Sequence, residues 1–141
     1  MAQLKYLLDT NILSELIKQP DGNAARKIAA LENDDVYCTS IIVACELRYG
    51  AQKKASPTLT AKVKKLLETI AVLPLKQNVE EHYAMLRVAL ERAGTPIGSN
   101  DLLIAAQASA LGLIVVTGNV KEFSRVPELI VENWLTPEGQ A

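Results

Sequence analysis

Leu113-Ile114-Val115-Val116-Thr117 is a continuous apolar run that ends on a hydroxyl. A strand of that composition has no wet face, so it belongs in a sheet covered on both sides. Shorter runs of strand formers recur at residues 4–8, at 36–39, at 71–75 despite Pro74, and at 129–131 as an edge. Stretches of helical periodicity separate them. Asn11 is placed to cap a helix to about Lys18, which Pro20-Asp21-Gly22 breaks. Residues 23–33 read as a second helix, with Ala25, Ile28, Ala29 and Glu32 at helical spacing. Ser40 caps a third over 41–51, and Pro57 opens a fourth to about Thr69, striped by Leu59, Val63, Leu66, Leu67 and Ile70. Val79, Tyr83, Leu86 and Leu90 mark a fifth that ends at Gly94. A sixth starts at Ser99 or Asn100 and stops at Gly112. Strands alternating with helices predict an α/β fold, a parallel sheet flanked by helices on both faces.

At 141 residues the chain is expected to be one domain, residues 1–141, large enough to bury a core without disulfides. Cys38 and Cys45 both lie in apolar runs and are expected to be small buried hydrophobes. No leader is read at the N-terminus, and no run approaches the roughly 20 apolar residues that cross a bilayer. The expectation is a soluble, cytoplasmic protein without a membrane partner. A net charge of −1 argues against a nucleic-acid coat. The charge is uneven, however. Arg48, Lys53, Lys54, Lys62, Lys64 and Lys65 fall in a stretch without an acid, which either follows a phosphate backbone or is a solvated helix face.

Ligands of such sheets lie beyond the carboxyl ends of the strands, where strand order reverses. Asp9 sits at such an end, and so does the Thr117-Gly118-Asn119 turn. Taken alone, Asp9 also reads as an acid favoured by the dipole of the helix it precedes. Glu46 follows Ile41-Ile42-Val43-Ala44-Cys45 and precedes Leu47. A carboxylate there is costly to bury unless paired or bound to a cation, although one wet stripe on a helix accounts for it equally. Asp101 opens a helix that continues Leu102-Leu103-Ile104-Ala105-Ala106, apolar nearly all round, so its N-terminus must face something polar. Here too the dipole is the plainer reading. Together, three acids at such positions form a hard-oxygen donor set suited to Mg²⁺ or Mn²⁺. Zinc is disfavoured: His82 is the sole histidine and is expected to be exposed on a helix. No Ser–His or Cys–His pair supports a side-chain nucleophile.

The Asp9-Thr10-Asn11 start, the Glu46 helix, Ile97-Gly98-Ser99-Asn100-Asp101-Leu102-Leu103-Ile104-Ala105-Ala106 and Val116-Thr117-Gly118-Asn119-Val120-Lys121-Glu122-Phe123 resemble a PIN domain. More narrowly, they resemble the VapC/FitB-type toxins of bacterial toxin–antitoxin pairs, over the span from Leu4 to Trp134. The resemblance implies a three-layer sandwich with a central, mainly parallel sheet. It implies an endoribonuclease that uses Mg²⁺ or Mn²⁺ to activate water and leaves 5′-phosphate and 3′-hydroxyl ends. Asp9, Glu46 and Asp101 carry over as its acidic cluster, with Asp9 and Asp101 the surest metal ligands. Many members have a fourth acid in the turn after the last long strand. Asn119 stands there, with Glu122 one helical turn on, which leaves a second metal open. Also implied are an RNA substrate (transfer RNA among the candidates), a homodimer, and a cognate antitoxin whose tail covers the acidic pocket. Two other readings stand beside this one. A PIN fold that binds RNA or a partner without cutting is favoured by Asn119. A receiver-like phosphoacceptor domain wants acids beside Asp9, where Leu8 and Thr10 stand.

Overall fold

The computed structural model of the chain describes residues 3–31 and 36–136. Its strands are β1 (Tyr6–Leu8), β2 (Tyr37–Ser40), β3 (Ala71–Leu73), β4 (Ile114–Val116) and β5 (Val131–Glu132). They form one sheet in the order β3-β2-β1-β4-β5, with every neighbouring pair parallel. The helices are α1 (Thr10–Lys18), α2 (Asn23–Ala29), α3 (Ile41–Lys54), α4 (Pro57–Glu68), α5 (Val79–Arg92), α6 (Ser99–Leu111) and α7 (Val120–Phe123). The chain steps from β1 to β2 to β3 in one direction, then crosses back past β1 to β4 and β5. Right-handed crossovers therefore put α1–α4 on one face and α5–α7 on the other. This is the expected sandwich, with strand order reversing at β1.

The central strands are dry on both sides: Leu7, Leu8, Cys38, Val115 and Val116 are fully buried. On α6, Leu102, Ile104, Ala105, Ala106 and Ala108 are all buried, as an all-round apolar helix requires. Its buried polar side chain, Gln107, donates its amide to the carbonyls of Leu73 (3.3 Å) and Pro74 (3.2 Å), where β3 ends. Gly112 takes a left-handed conformation (φ 68°), and the Leu113 N–H turns back to the Ala108 carbonyl at 2.9 Å. That turn delivers the chain from α6 into β4.

Several boundaries differ from the sequence reading. β3 stops at Leu73 because Pro74 has no N–H for the ladder. α3 runs on to Lys54, and Ala55 (φ 51°) ends it. Ser56 caps α4 by accepting from the Leu59 N–H at 3.1 Å, with Pro57 at the first helical position. α2 ends at Ala29, with Ala30 as its cap and Leu31 beyond it; Glu32 and Asn33 of the expected second helix lie outside the described residues. The outer strand is displaced to Val131–Glu132, where Glu132 accepts the Thr117 N–H at 2.9 Å. The short α7, four residues long, lies in a stretch whose sequence predicts a loop. Its Phe123 is fully buried and anchors the turn that follows β4.

Candidate active site

Register places the first two site residues side by side. Leu8 of β1 pairs with Val116 of β4, so the residues that follow, Asp9 and Thr117, leave the sheet as neighbours. The Asp9 N–H still bonds the Val116 carbonyl at 2.9 Å. The Thr117 hydroxyl donates to Asp9 Oδ2 at 2.8 Å. It also accepts from Asn11 Nδ2 (3.3 Å) and from the Asn119 N–H (2.9 Å). A hydroxyl has one hydrogen to give. With N–H donors on its acceptor side, that hydrogen is committed to Asp9. Asn11, expected to cap α1, spends its amide elsewhere: its Oδ1 accepts the Gly118 N–H at 2.7 Å, stitching α1 to the β4 turn. The residue in the extended cap position is Asp9 itself.

Glu46 sits mid-way along α3 at the border of its buried face, between Cys45 (exposed) and Leu47 (buried). The Thr10 hydroxyl donates to its Oε1 at 2.6 Å, and Asn100 Nδ2 approaches its Oε2 at 3.5 Å. Asp101 occupies the first turn of α6. Asn119 Nδ2 donates to Glu122 Oε2 at 2.6 Å and lies 3.5 Å from Asp101 Oδ2. Its nitrogen, rather than its oxygen, thus faces the acids. Glu122 Oε1 accepts the Gly98 N–H at 2.7 Å, tying α7 to the start of α6. Asp9, Thr10, Asn11, Glu46, Asp101 and Asn119 all line one open cleft of about 420 Å³. The four acids and amides read from the sequence are therefore gathered in one place.

The electrostatics follow from crowding like charges. Asp9 is 4% exposed, and burial is the main cause that raises its carboxyl above the ordinary value; the Thr117 hydrogen bond partly opposes it. Burial also leads the causes that push Asp101 up to about 8, followed by its hydrogen bond to Glu122 and repulsion from Glu122, Asp9 and Glu46. Glu122 moves the other way, held down chiefly because it accepts that hydrogen bond from Asp101. The two carboxylates thus compete for one proton, and the opposite directions of their shifts favour it on Asp101. Among the described residues the one ion pair is Arg87–Glu91, on the surface of α5, so no cationic side chain pairs with the site's carboxylates.

The family model described as the PIN domain matches residues 6–129. The chain is a PIN domain. Ribonuclease VapC2 of Rickettsia felis is 37% identical over 130 residues, which cover 92% of this chain and 97% of the relative. The tRNA(fMet)-specific endonuclease VapC of Salmonella typhimurium is 36% identical over 132 residues, or 93% and 98% of the two chains. The crystal structure of DNA-bound VapBC from Salmonella typhimurium superposes with a TM-score of 0.87 at 35% identity, covering 94% of this chain and 99% of that one. The chain belongs with the VapC proteins of the PIN-domain family, whose nucleases are in general divalent-metal dependent.

The PIN cleft can be tested for such an ion by its donors. They are hard oxygens without a cationic partner, the set that Mg²⁺ and Mn²⁺ favour. Among the described residues no three Asp, Glu, His or Cys side chains stand close enough to hold an ion by themselves. That suits a cation which keeps several waters and takes only one or two carboxylates, as Mg²⁺ does. Other residues singled out from the sequence lie outside the cleft. Arg48, Lys53, Lys54, Lys62, Lys64 and Lys65 are all exposed, and none lines the cleft. His82 is half-buried instead of exposed, lining a separate groove with Met85 and Ile130. Cys38 is buried, and burial pushes its thiol up to about 12. Cys45 is exposed, contrary to expectation, because its position on α3 falls outside the packed face. No helix among the described residues is long and apolar enough to cross a membrane.

Proposed function

We propose that this protein is the toxin of a toxin–antitoxin pair, an endoribonuclease that hydrolyses RNA phosphodiester bonds with the help of Mg²⁺ or Mn²⁺. The observation that carries this reading is the convergence of Asp9, Glu46 and Asp101 on one cleft at the strand-order switch, with no cationic side chain among the described residues paired to them. Asp9 and Asp101 would hold the ion, with Glu46 reaching it through water. A bound divalent cation supplies Lewis acidity, making water a usable nucleophile at neutral pH and neutralising charge that develops on the phosphate. Thr117 fixes the orientation of the Asp9 carboxylate, and Thr10 does the same for Glu46. Asn119 and Glu122 hold the α6 start and the β4 turn around Asp101. The exposed lysines of α3 and α4 add sequence-independent attraction for a phosphate backbone.

We further infer a single domain over residues 1–141, a cytoplasmic setting, a homodimer, and a cognate antitoxin that covers the cleft. Two of the solved relatives are described as VapBC bound to DNA, which supports the antitoxin reading. Transfer RNA is the first substrate to try, since the Salmonella relative is named for tRNA(fMet). Antitoxin-free protein incubated with an RNA panel that includes initiator transfer RNA should give discrete cuts with 5′-phosphate ends in Mg²⁺ or Mn²⁺. EDTA should stop them. Uncut RNA in both metals, with metal binding intact by calorimetry, would favour the non-cleaving binding module.

A further inference from the structure

Helix α1 contributes more to the cleft than Thr10 and Asn11. Its Ile12 and Leu13 are fully buried, and Leu16 and Ile17 pack against the same core. The opposite stripe is wet. Thr10, Ser14 and Lys18 follow one another at intervals of four, with Asn11 and Glu15 alongside, and these side chains form one wall of the acidic cleft. Lys18 is the one basic side chain on the lining among the described residues, where Asp9, Glu15, Glu46 and Asp101 are the acids. It is exposed and makes no hydrogen bond or ion pair with the described residues, Glu15 on the same wall included. The helix dipole favours a lysine in the last turn. It does not account for an unpaired ammonium on the wall of this particular cleft.

We propose that Lys18 holds a phosphate of the RNA strand that flanks the one being cut. This rests on the ribonuclease reading above. α1 rises about 13 Å from Asp9 to Lys18, which sets that lysine at the far end of the wall from the Asp9 carboxylate. Helical side chains tilt toward the N-terminus, so Lys18 leans back along the wall in the direction of Asp9. A polyanion that enters a cleft lined by carboxylates is repelled. A free cation at the far end of the wall offsets that repulsion where the strand must pass, and it does so before any chemistry starts. Lysine acts here as a point charge, so arginine should replace it.

Steady-state cleavage of initiator transfer RNA in Mg²⁺, measured over a range of salt, tests the contact. Lys18→Met should raise KM about tenfold with kcat changed less than about twofold, and should lower the salt slope of kcat/KM by about one. Lys18→Arg should restore both. Lys27→Met, which removes the same charge from α2 away from the cleft, should change neither. The Mg²⁺ isotherm of Lys18→Met should not weaken, which separates an RNA contact from a disturbed metal site. Lys18→Met with wild-type KM and salt slope would overturn the contact and leave the ribonuclease reading standing on EDTA-sensitive cleavage. An equal loss in Lys27→Met, or a weakened Mg²⁺ isotherm in Lys18→Met, would overturn it as well. A wild type that cuts no RNA overturns both.

Discussion

Asp101→Asn should abolish RNA cleavage in Mg²⁺ while making the metal-free protein more stable at alkaline pH. Losing an outer partner of a bound metal typically costs roughly 10–100-fold in activity or affinity. Losing a ligand should cost more, on the order of 10³-fold. The stability gain has a separate origin. Asp101 is pushed up to about 8 by burial, its hydrogen bond to Glu122 and the charges of Glu122, Asp9 and Glu46. Above that pH the wild type must keep an uncompensated charge there. The amide is neutral at every pH and can donate to Glu122 as the protonated acid does. Thermal melts in EDTA should therefore agree between variant and wild type near pH 4, separate progressively as pH rises to about 8, and stay apart by a constant amount above it, with the variant the more stable. A variant that melts lower at all pH values would mark Asp101 as a structural residue. Wild-type cleavage would remove it from the site.

The second large effect is a proton released when metal binds. In the unfolded chain Asp101 titrates near the ordinary 3.8, and in the folded one near 8. Between those values the folded state holds a proton that the unfolded state has lost. Metal-free stability should then fall as pH rises from about 4 to about 8, and level off beyond. Asp9, also raised, adds in the same direction. Glu122, lowered, acts in the opposite direction: it contributes stability that is lost as pH falls through its folded value, and so only at the acid end. A metal that takes Asp101 as a ligand must displace its proton. Mg²⁺ affinity should improve about tenfold per pH unit below about 8 and flatten above it. At 100 times its Kd the ion adds about 2.7 kcal/mol, or roughly 8 °C in Tm for a domain of this size. Calorimetry in buffers of different ionisation heat counts the proton directly. A pH-independent affinity through that window would contradict the assignment of Asp101.

What was legible in the sequence was whatever a single element dictates. The dry run ending at Thr117 and the apolar strand ending at Asp9 mark carboxyl ends of covered strands, and sheet register then makes those residues neighbours. Asp101 before an all-apolar helix likewise had to face something polar. Contacts between elements were harder to read. Asn11 looks like a helix cap because its partner, the Gly118 N–H, is 107 residues away. α7 spans only four residues, too short for periodicity to register, so Glu122 could be noted one turn beyond Asn119 without its bond to Gly98 being visible. Cys45 sits in an apolar run yet faces solvent, because burial on a helix follows angle and not local composition. Lys18 shows no sign of function until the wet stripe of α1 is seen to line the cleft.

Asp9 is the most buried of the acids and the one around which Thr117, Asn11 and the β4 turn are arranged. The most direct measurement is therefore RNA cleavage by Asp9→Asn beside wild type in Mg²⁺, with metal calorimetry on both proteins. The expected result is a folded variant that neither takes up the ion nor cuts RNA, while the wild type does both. Cleavage by Asp9→Asn at the wild-type rate would contradict a metal-dependent nuclease centred on this carboxylate.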